Sequence, residues 1–364
     1  MSLDNDYAFE LDFLPVGDGE RSGDAIAMRW QQPDGFYVAV VDGGTKESGE
    51  QLIEHVRRWY GATFINLVIN THPDQDHASG LQVVLEKMPV LGLWMHRPWM
   101  HPEKIRHLFA NQQFTTKGLS GRIKAALDAA YELEQIAKRK NIPITEPYEG
   151  LSFGPLLVLS PSQDFYLQLV PHFQSTPEAR FNPPGGMFAG MARAALYGLA
   201  QITESWGFET LREDGFTSPQ NESSVVLYAR FSGRGILLTG DAGQQALARA
   251  YLSALGRGID LAQCRYYQVP HHGSRRNVSP KILDALLGPK LPANTAPTRS
   301  AIASVGAAST SHPRRIVCNA FRRRGVAVAS TKGATKYFYH GYPLRPGYHA
   351  IEYLPFFHQV ENYD

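Results

Sequence analysis

The chain has 364 residues, 43% of them apolar and 11% aromatic, and a formal net charge of only +2. That length is long for one ordinary domain and short for three, and the composition excludes a disordered or fibrous chain. There is no run of about 18 uninterrupted apolar residues to cross a membrane, and the acidic start Met1–Asp6 lacks a basic-then-apolar leader pattern; with Cys264 and Cys318 too far apart for a zinc ribbon or a disulfide framework, a soluble cytoplasmic protein is expected.

In chain order, Phe9–Val16 predicts a first strand that runs into the glycine-rich turn Gly17-Asp18-Gly19-Glu20-Arg21-Ser22-Gly23-Asp24. Ala25–Trp30 and Phe36–Val41 read as a hairpin, with Asp42 at its end expected to brace neighbouring loop backbone. Gly49–Tyr60 has helical spacing, with Leu52, Ile53, Val56 and Trp59 on one face. Phe64–Asn70 predicts a buried strand, and it ends in Thr71-His72-Pro73-Asp74-Gln75-Asp76-His77-Ala78-Ser79-Gly80. His72, Asp74, Asp76 and His77 thus crowd into six residues at a strand end. Clustered carboxylates there are costly unless a cation compensates them. A divalent metal does so, and mixed nitrogen and oxygen ligands suit zinc, manganese or iron(II).

Ala78–Lys87 reads as the next helix, its N-terminus aimed at that loop. Val90–Trp94 predicts a strand, after which His96, Arg97, Trp99 and His101 read as a packed loop rather than a substrate cleft. Ile105–Ala110 and Leu119–Lys140 predict helices of an insertion over residues 104–150. Leu156–Leu159 is a strand stopped by Ser160-Pro161-Ser162. Residues 170–219 are rich in Pro, Gly and Phe, with a helical piece near Met191–Ser205, and read as a lid or a partner-facing insertion. Asn221–Tyr228, Gly235–Leu238, Arg265–Val269, Ala301–Val305 and Lys336–Tyr339 are further strand segments, and Arg314–Arg324 is a helix. Asp241 follows the second of them, and Pro270-His271-His272-Gly273-Ser274 the third. Ser274, Arg275, Arg276 and Asn277 are well placed to hold a phosphate.

The spacing His72-x-Asp74-x-Asp76-His77 resembles the metallo-β-lactamase superfamily signature His-x-His-x-Asp-His, with Asp74 where the signature has its second His. That departure, with Thr-Gly-Asp241, Pro-His271-His272-Gly-Ser and Asn221-x-Ser223-Ser224, resembles the hydrolase domain of the competence DNA-uptake protein ComEC and its soluble relatives. The resemblance spans about Phe9 to His340, apart from the two insertions. It implies one α/β domain over residues 1–364, a four-layer αββα sandwich with all these loops at one edge. It implies one or two divalent ions, zinc or manganese, held by His72, Asp74, Asp76, His77, Asp241 and one or both of His271 and His272. The wider superfamily places another His ligand near Asn221, where this chain has none.

The implied activity is metal-assisted hydrolysis by an activated water, most readily of a phosphodiester in DNA or a nucleotide. Asp74 or Asp76 would orient the water, and His312 of Ser311-His312-Pro313 would assist substrate or leaving group. Asn221, Ser223, Ser274, Arg275, Arg276, Asn277 and Lys332 would contact substrate. Hydrolysis of a small ester or lactone, and a catalytically weak module whose insertions meet a protein partner, are the alternatives. Residues 261–345 hold 14 Lys and Arg against the single acidic Asp284, so this segment carries +13 and the remainder −11. Such asymmetry fits a polyanionic partner or, equally, charges scattered over several faces by folding.

Overall fold

Side chains alternate along a strand, so Phe9, Leu11 and Phe13 of β1 (Phe9–Phe13) face one way while Glu10 and Asp12 face the other, and all five are buried. A strand buried on both faces needs layers on both sides. The computed structural model describes residues 7–19, 23–181 and 201–362 and supplies those layers.

The first sheet takes the order β15-β1-β2-β3-β4-β5-β6, built from β2 (Ala25–Gln32), β3 (Gly35–Gly43), β4 (Leu67–Ile69), β5 (Leu93–Trp94), β6 (Ile144–Thr145) and β15 (Lys336–His340). The second runs β14-β13-β12-β11-β10-β8-β7, from β7 (Ser152–Phe153), β8 (Leu156–Ser160), β10 (Val226–Phe231), β11 (Arg234–Leu238), β12 (Cys264–Gln268), β13 (Arg299–Ala303) and β14 (Val326–Ser330). Phe9, Leu11, Phe13, Ile26, Met28 and Ile69 of one sheet pack on Val158, Leu227, Ile236, Leu238 and Ile302 of the other. Helices α1 (Lys46–Tyr60) and α2 (Gln75–Lys87) cover the outer face of the first sheet, and helices Gln244–Gly256 and Arg315–Arg323 that of the second. This is the expected αββα sandwich. Within each sheet the site-bearing strands are parallel, β3 through β6 in one and β11 through β14 in the other, so their C-terminal ends open on the same edge.

Several boundaries differ from expectation. The strand expected over Phe64–Asn70 is ladder-paired only at Leu67–Ile69; Phe64 is exposed and Ile65 makes a single bridge to Val90. The strand expected over Val90–Trp94 likewise shortens to Leu93–Trp94. Short helical turns, not one helix, occupy 98–108, and Phe109 then bridges to Ala179. The helix expected over Leu119–Lys140 is two, Thr116–Ala126 and Asp128–Arg139, broken where Leu127 leaves helical geometry. Asn221 sits in a helical turn, Pro219–Glu222, rather than in strand. Most of the helical piece expected near Met191–Ser205 lies outside the described residues; its end, Gln201–Thr203, is a strand, β9, paired with β16 (Gln359–Glu361). Among the described residues no helix is long and apolar enough to cross a membrane.

The acids on the outer face of β1 are matched from the far end of the chain. Arg345 donates to both oxygens of Asp12, at 2.7 and 3.0 Å, and to Glu10 at 3.1 Å, while Tyr60 donates to Asp12 at 2.6 Å. Burial alone would raise the Asp12 carboxyl, but His55 and Arg345 hold it below its ordinary value. Removing the guanidinium leaves buried Asp12 to His55 and Glu10 to Arg29, and breaking a buried pair of this kind costs about 3–5 kcal/mol. Arg345→Met is therefore expected to lose about 3–5 kcal/mol in chemical denaturation. The depressed Asp12 value adds stability above the unfolded pKa near 4 that is lost as pH falls through the folded value. The gap between wild type and variant should accordingly narrow in acid, and a gap independent of pH would contradict this assignment.

Candidate metal centre

Asp241 follows β11 in a turn pinned by Gln268, whose Oε1 accepts from the Thr239 and Gly240 amides at 2.8 and 2.9 Å. Its carboxylate is buried, and four imidazole nitrogens surround it. His77 Nε2 lies 3.5 Å, His271 Nε2 3.6 Å and His72 Nε2 3.8 Å from Oδ2, while His272 Nε2 lies 3.8 Å from Oδ1. These separations are near those of two ligands sharing one ion, given metal–ligand bonds of about 2.0–2.2 Å.

The other ring nitrogen of each histidine is occupied. His77 Nδ1 donates to Asp42 Oδ2 at 2.8 Å, and His272 Nδ1 to the Ser304 carbonyl at 2.9 Å. His271 Nδ1 lies 2.9 Å from Asn277 Oδ1 and 3.1 Å from Asn221 Nδ2. Thr71 Oγ1 gives its proton to Asp42 at 2.6 Å and is left to accept from His72 Nδ1 at 3.0 Å. The hydrogen-bond network therefore assigns the Nδ1–H tautomer to His72, His77 and His272, and all four rings turn Nε2 towards the centre. Buried His72 Nε2, His77 Nε2 and Asp241 Oδ1 have no hydrogen-bond partner, nor has Asp24 Oδ2. Groups this deeply buried are normally paired. Bare imidazole nitrogens and carboxylate oxygens converging on one point fit a divalent cation.

Local structure explains the convergence. The chain enters α2 at Gln75, so Asp76 and His77 lie on its first turn and Asp74 at its N-cap. Asp74 makes no capping bond; its Oδ2 faces His72 Nε2 at 3.7 Å instead, with 36% of the side chain exposed. Asp76 groups with His77 and His272. Asn70 Nδ2 donates to the His72 carbonyl at 2.8 Å, and Asp42 Oδ1 accepts from the Thr71 amide at 2.8 Å, so the loop backbone is held as well as its rings. The glycine-rich turn after β1 presses against the same loop: a Cβ on Gly23, at φ +60°, would stand 1.6 Å from the Asp76 carbonyl oxygen.

The charges are mutually dependent. Burial alone would push Asp241 up, but His271, His77 and His272 hold it well below the usual carboxylate range. Burial would push His77 down, but Asp241 and Asp42 raise it well above its ordinary value. Asp24 has no such compensation, and burial leaves it raised despite His272 and His77.

The structure thus brings together His72, Asp74, Asp76, His77, Asp241, His271 and His272. It also adds Asp24, which groups with His77 and Asp241. Asp24 stands in a turn between strands, and its sequence neighbours carry no ligand pattern; only its place directly before a buried strand marks it. Asn277 is fully buried, its Nδ2 donating to the Asp241 carbonyl at 2.8 Å, so its amide braces two of these residues. Ser223 is also buried, its hydroxyl donating to the Gln220 carbonyl at 2.6 Å. Ser274 Oγ accepts from the Arg276 amide at 3.3 Å, and Arg276 itself is exposed. Arg275 donates to the Asn362 carbonyl, and Lys332 is exposed on the turn after β14. His312 is half-buried; Pro313 after it packs on Gly273, whose φ of +88° and close approach to that ring require glycine.

By sequence, no protein-family model and no curated protein matches the chain. Among solved structures it is similar to unliganded yeast PDE1, at 12% identity and a TM-score of 0.43 over 90% of this chain and 99% of that one. It is also similar to CmlA, a diiron β-hydroxylase from Streptomyces venezuelae, at 12% identity and a TM-score of 0.41 over 92% of this chain and 54% of that one. A third is the metallo-β-lactamase SMB-1, at 12% identity and a TM-score of 0.28 over 76% and 86%. The likeness is one of fold and carries nothing about substrate.

Asp42 orders Thr71 and His77 without facing the centre itself. Loss of such an outer partner typically costs 10–100-fold in metal affinity. Asp42→Ala is expected to weaken zinc or manganese binding by about that factor in chelator competition while leaving the stoichiometry unchanged.

Proposed function

We propose that the chain is a metal-dependent hydrolase of phosphodiesters, with a nucleotide or nucleic acid as substrate. The observation that supports the metal dependence is the set of four Nε2 atoms within 3.8 Å of the buried Asp241 carboxylate, those of His72 and His77 buried and without a hydrogen-bond partner. Zinc and manganese both suit this donor set, and the added carboxylates shift it towards manganese. A divalent ion held here would lower the pKa of a bound water towards neutrality and polarise a phosphoryl oxygen.

The chain's own groups divide the remaining work. Asp74, whose side chain is 36% exposed, would accept a proton from the attacking water. His312, next to the Pro313 that packs against Gly273, would protonate the departing oxygen. Arg276 is the basic side chain next to the His271-His272 turn that reaches solvent, where it would meet a non-bridging oxygen.

Part of the basic excess of residues 261–345 lies inside the fold. Arg323 pairs with Glu204, Arg324 with Glu209 and Asp284, and Arg345 with Asp12 and Glu10, all three guanidinium groups being buried. Lys290 pairs with Glu209, and Arg299 donates to the carbonyls of Ala262 and Leu287. These five charges brace the fold, while Arg265, Arg276, Lys281, Arg315 and Lys332 are exposed.

The test is a panel of bis-aryl phosphodiesters, chromogenic esters and lactones offered to the metal-loaded protein. Diester cleavage that Asp241→Asn lowers by about 1,000-fold is expected, since ion-based charge stabilisation is worth several kcal/mol. Turnover of esters alone would reassign the substrate. For DNA, a binding constant that falls steeply with salt would support the polyanion reading, and a flat response would exclude it.

A further inference from the structure

Helix Arg315–Arg323 starts without the signals that helices need. The first amides of a helix have no partner within it and carry the positive end of its dipole, so a hydroxyl or acidic side chain normally stands there. This helix has Arg314 at its N-cap and Arg315 as its first residue, no acid in its first turn, and no capping bond from the N-cap side chain. The missing acceptor comes from the far end of the chain. Glu361, on β16, accepts from the Arg315 amide at 3.0 Å with Oε1 and from the Ile316 amide at 3.3 Å with Oε2.

That helix start holds the His312 turn. The amides of Val317 and Cys318 close on the Arg314 carbonyl at 3.0 and 3.1 Å, so residues 312–314 move with the first helical turn. They also lean on the histidine turn of the metal centre. Arg314 N–H donates to the Gly273 carbonyl at 3.1 Å, and a Cβ on Gly273 would stand 2.5 Å from Pro313 Cβ. His312 itself donates its amide to Ser309 Oγ at 3.3 Å, and its Nδ1 lies 2.8 Å from Ser311 Oγ. Strand β16 is fastened independently of the Glu361 carboxylate. It pairs with β9, Gln359 opposite Thr203 and Val360 opposite Ile202, and the Gln359 carbonyl accepts from the Arg315 guanidinium at 3.4 Å. Just before it, Asn319 exchanges bonds of 2.7 and 2.8 Å with the Phe357 backbone. The carboxylate is therefore presented from a fixed strand.

We propose that Glu361 is a positioning residue for the reaction: by supplying the start that helix Arg315–Arg323 lacks, it holds His312 beside the histidine turn. The inference rests on the proton-donor role given to His312 above. It goes beyond that role in placing control of the donor on a strand from the far end of the chain.

The experiment compares wild type, Glu361→Ala, Glu361→Gln, His312→Ala and the double variant Glu361→Ala/His312→Ala, all as metal-loaded full chains. Two alkyl aryl phosphodiesters are offered, one releasing 4-nitrophenol and one releasing phenol. A proton donor matters more for the more basic leaving group, so His312→Ala should lower kcat about 100-fold on the phenyl ester and far less on the nitrophenyl ester. Glu361→Ala should show the same bias at about tenfold, the size of one lost helix cap, with KM and metal content unchanged. Glu361→Gln keeps an oxygen that accepts from the Arg315 amide and should recover most of the loss. In the His312→Ala background, Glu361→Ala should cost nothing further. Retained metal certifies that the centre is folded, and faster hydrogen exchange at the Arg315 and Ile316 amides reads the loosened helix start directly. A loss equal on the two esters, or one that adds to that of His312→Ala, would overturn the positioning role. So would an unchanged kcat in Glu361→Ala; in each of these cases the role of His312 stands. If His312→Ala shows no leaving-group bias, or wild type cleaves neither ester, the role of His312 and this inference fall together.

Discussion

Asp241 is a carboxylate taken out of water and faced by imidazole Nε2 atoms of four rings whose Nδ1 atoms are engaged elsewhere. An arrangement of that kind is expensive unless a cation occupies the centre or the rings take up protons. Much of the molecule reads as a consequence. Asp42, Thr71, Asn277 and the Ser304 carbonyl orient four rings, and Gln268 fixes the turn that presents the carboxylate. None of these five groups needs to touch a substrate; they set where the nitrogens point.

The sandwich makes that arrangement possible because both sheets end their parallel strands on one edge. β3 contributes Asp42, β4 the His72–His77 loop, β11 Asp241, β12 the histidine pair and β13 Ser304. The Val225 amide, entering β10, donates to the Thr71 carbonyl at 3.0 Å and ties the two sheets together beside the centre. Close approach is secured by glycines where no Cβ fits: one on Gly80 would stand 1.9 Å from the Gly43 carbonyl oxygen, so α2 lies directly on the end of β3. The helix that carries Asp76 and His77 is thereby seated by backbone contact rather than by flexible side chains.

A second set of buried charges lies away from the centre and works differently. Glu10 and Asp12 on β1 meet Arg345, and Glu204 and Glu209 meet Arg323 and Arg324, each pair joining segments far apart in the chain. These are closed networks with a cation for each acid, which is why they stabilise particular chain crossings. The Asp241 cluster is open, with bare donor atoms on both nitrogen and oxygen. That contrast separates a structural ion pair from a site built to receive something.

The sequence by itself determined the four ligand candidates of residues 72–77, because a helix start directly after a strand keeps ligands close in space when they are close in the chain. It also marked Asp241 and the histidine pair, through strand ends matched to a resemblance, and through that resemblance the sandwich. Tertiary structure alone decided what depends on distant partners. Asp24 reads as a turn residue until the fold sets it beside His77 and Asp241. Arg323, Arg324 and Arg345 read as part of a basic surface until they are seen buried against acids from distant parts of the chain. The choice between His271 and His272 dissolves only when two left-handed residues turn both rings onto one carboxylate. Periodicity reports which face of an element is buried; it does not report which element lies opposite, and these three outcomes were set by what lay opposite.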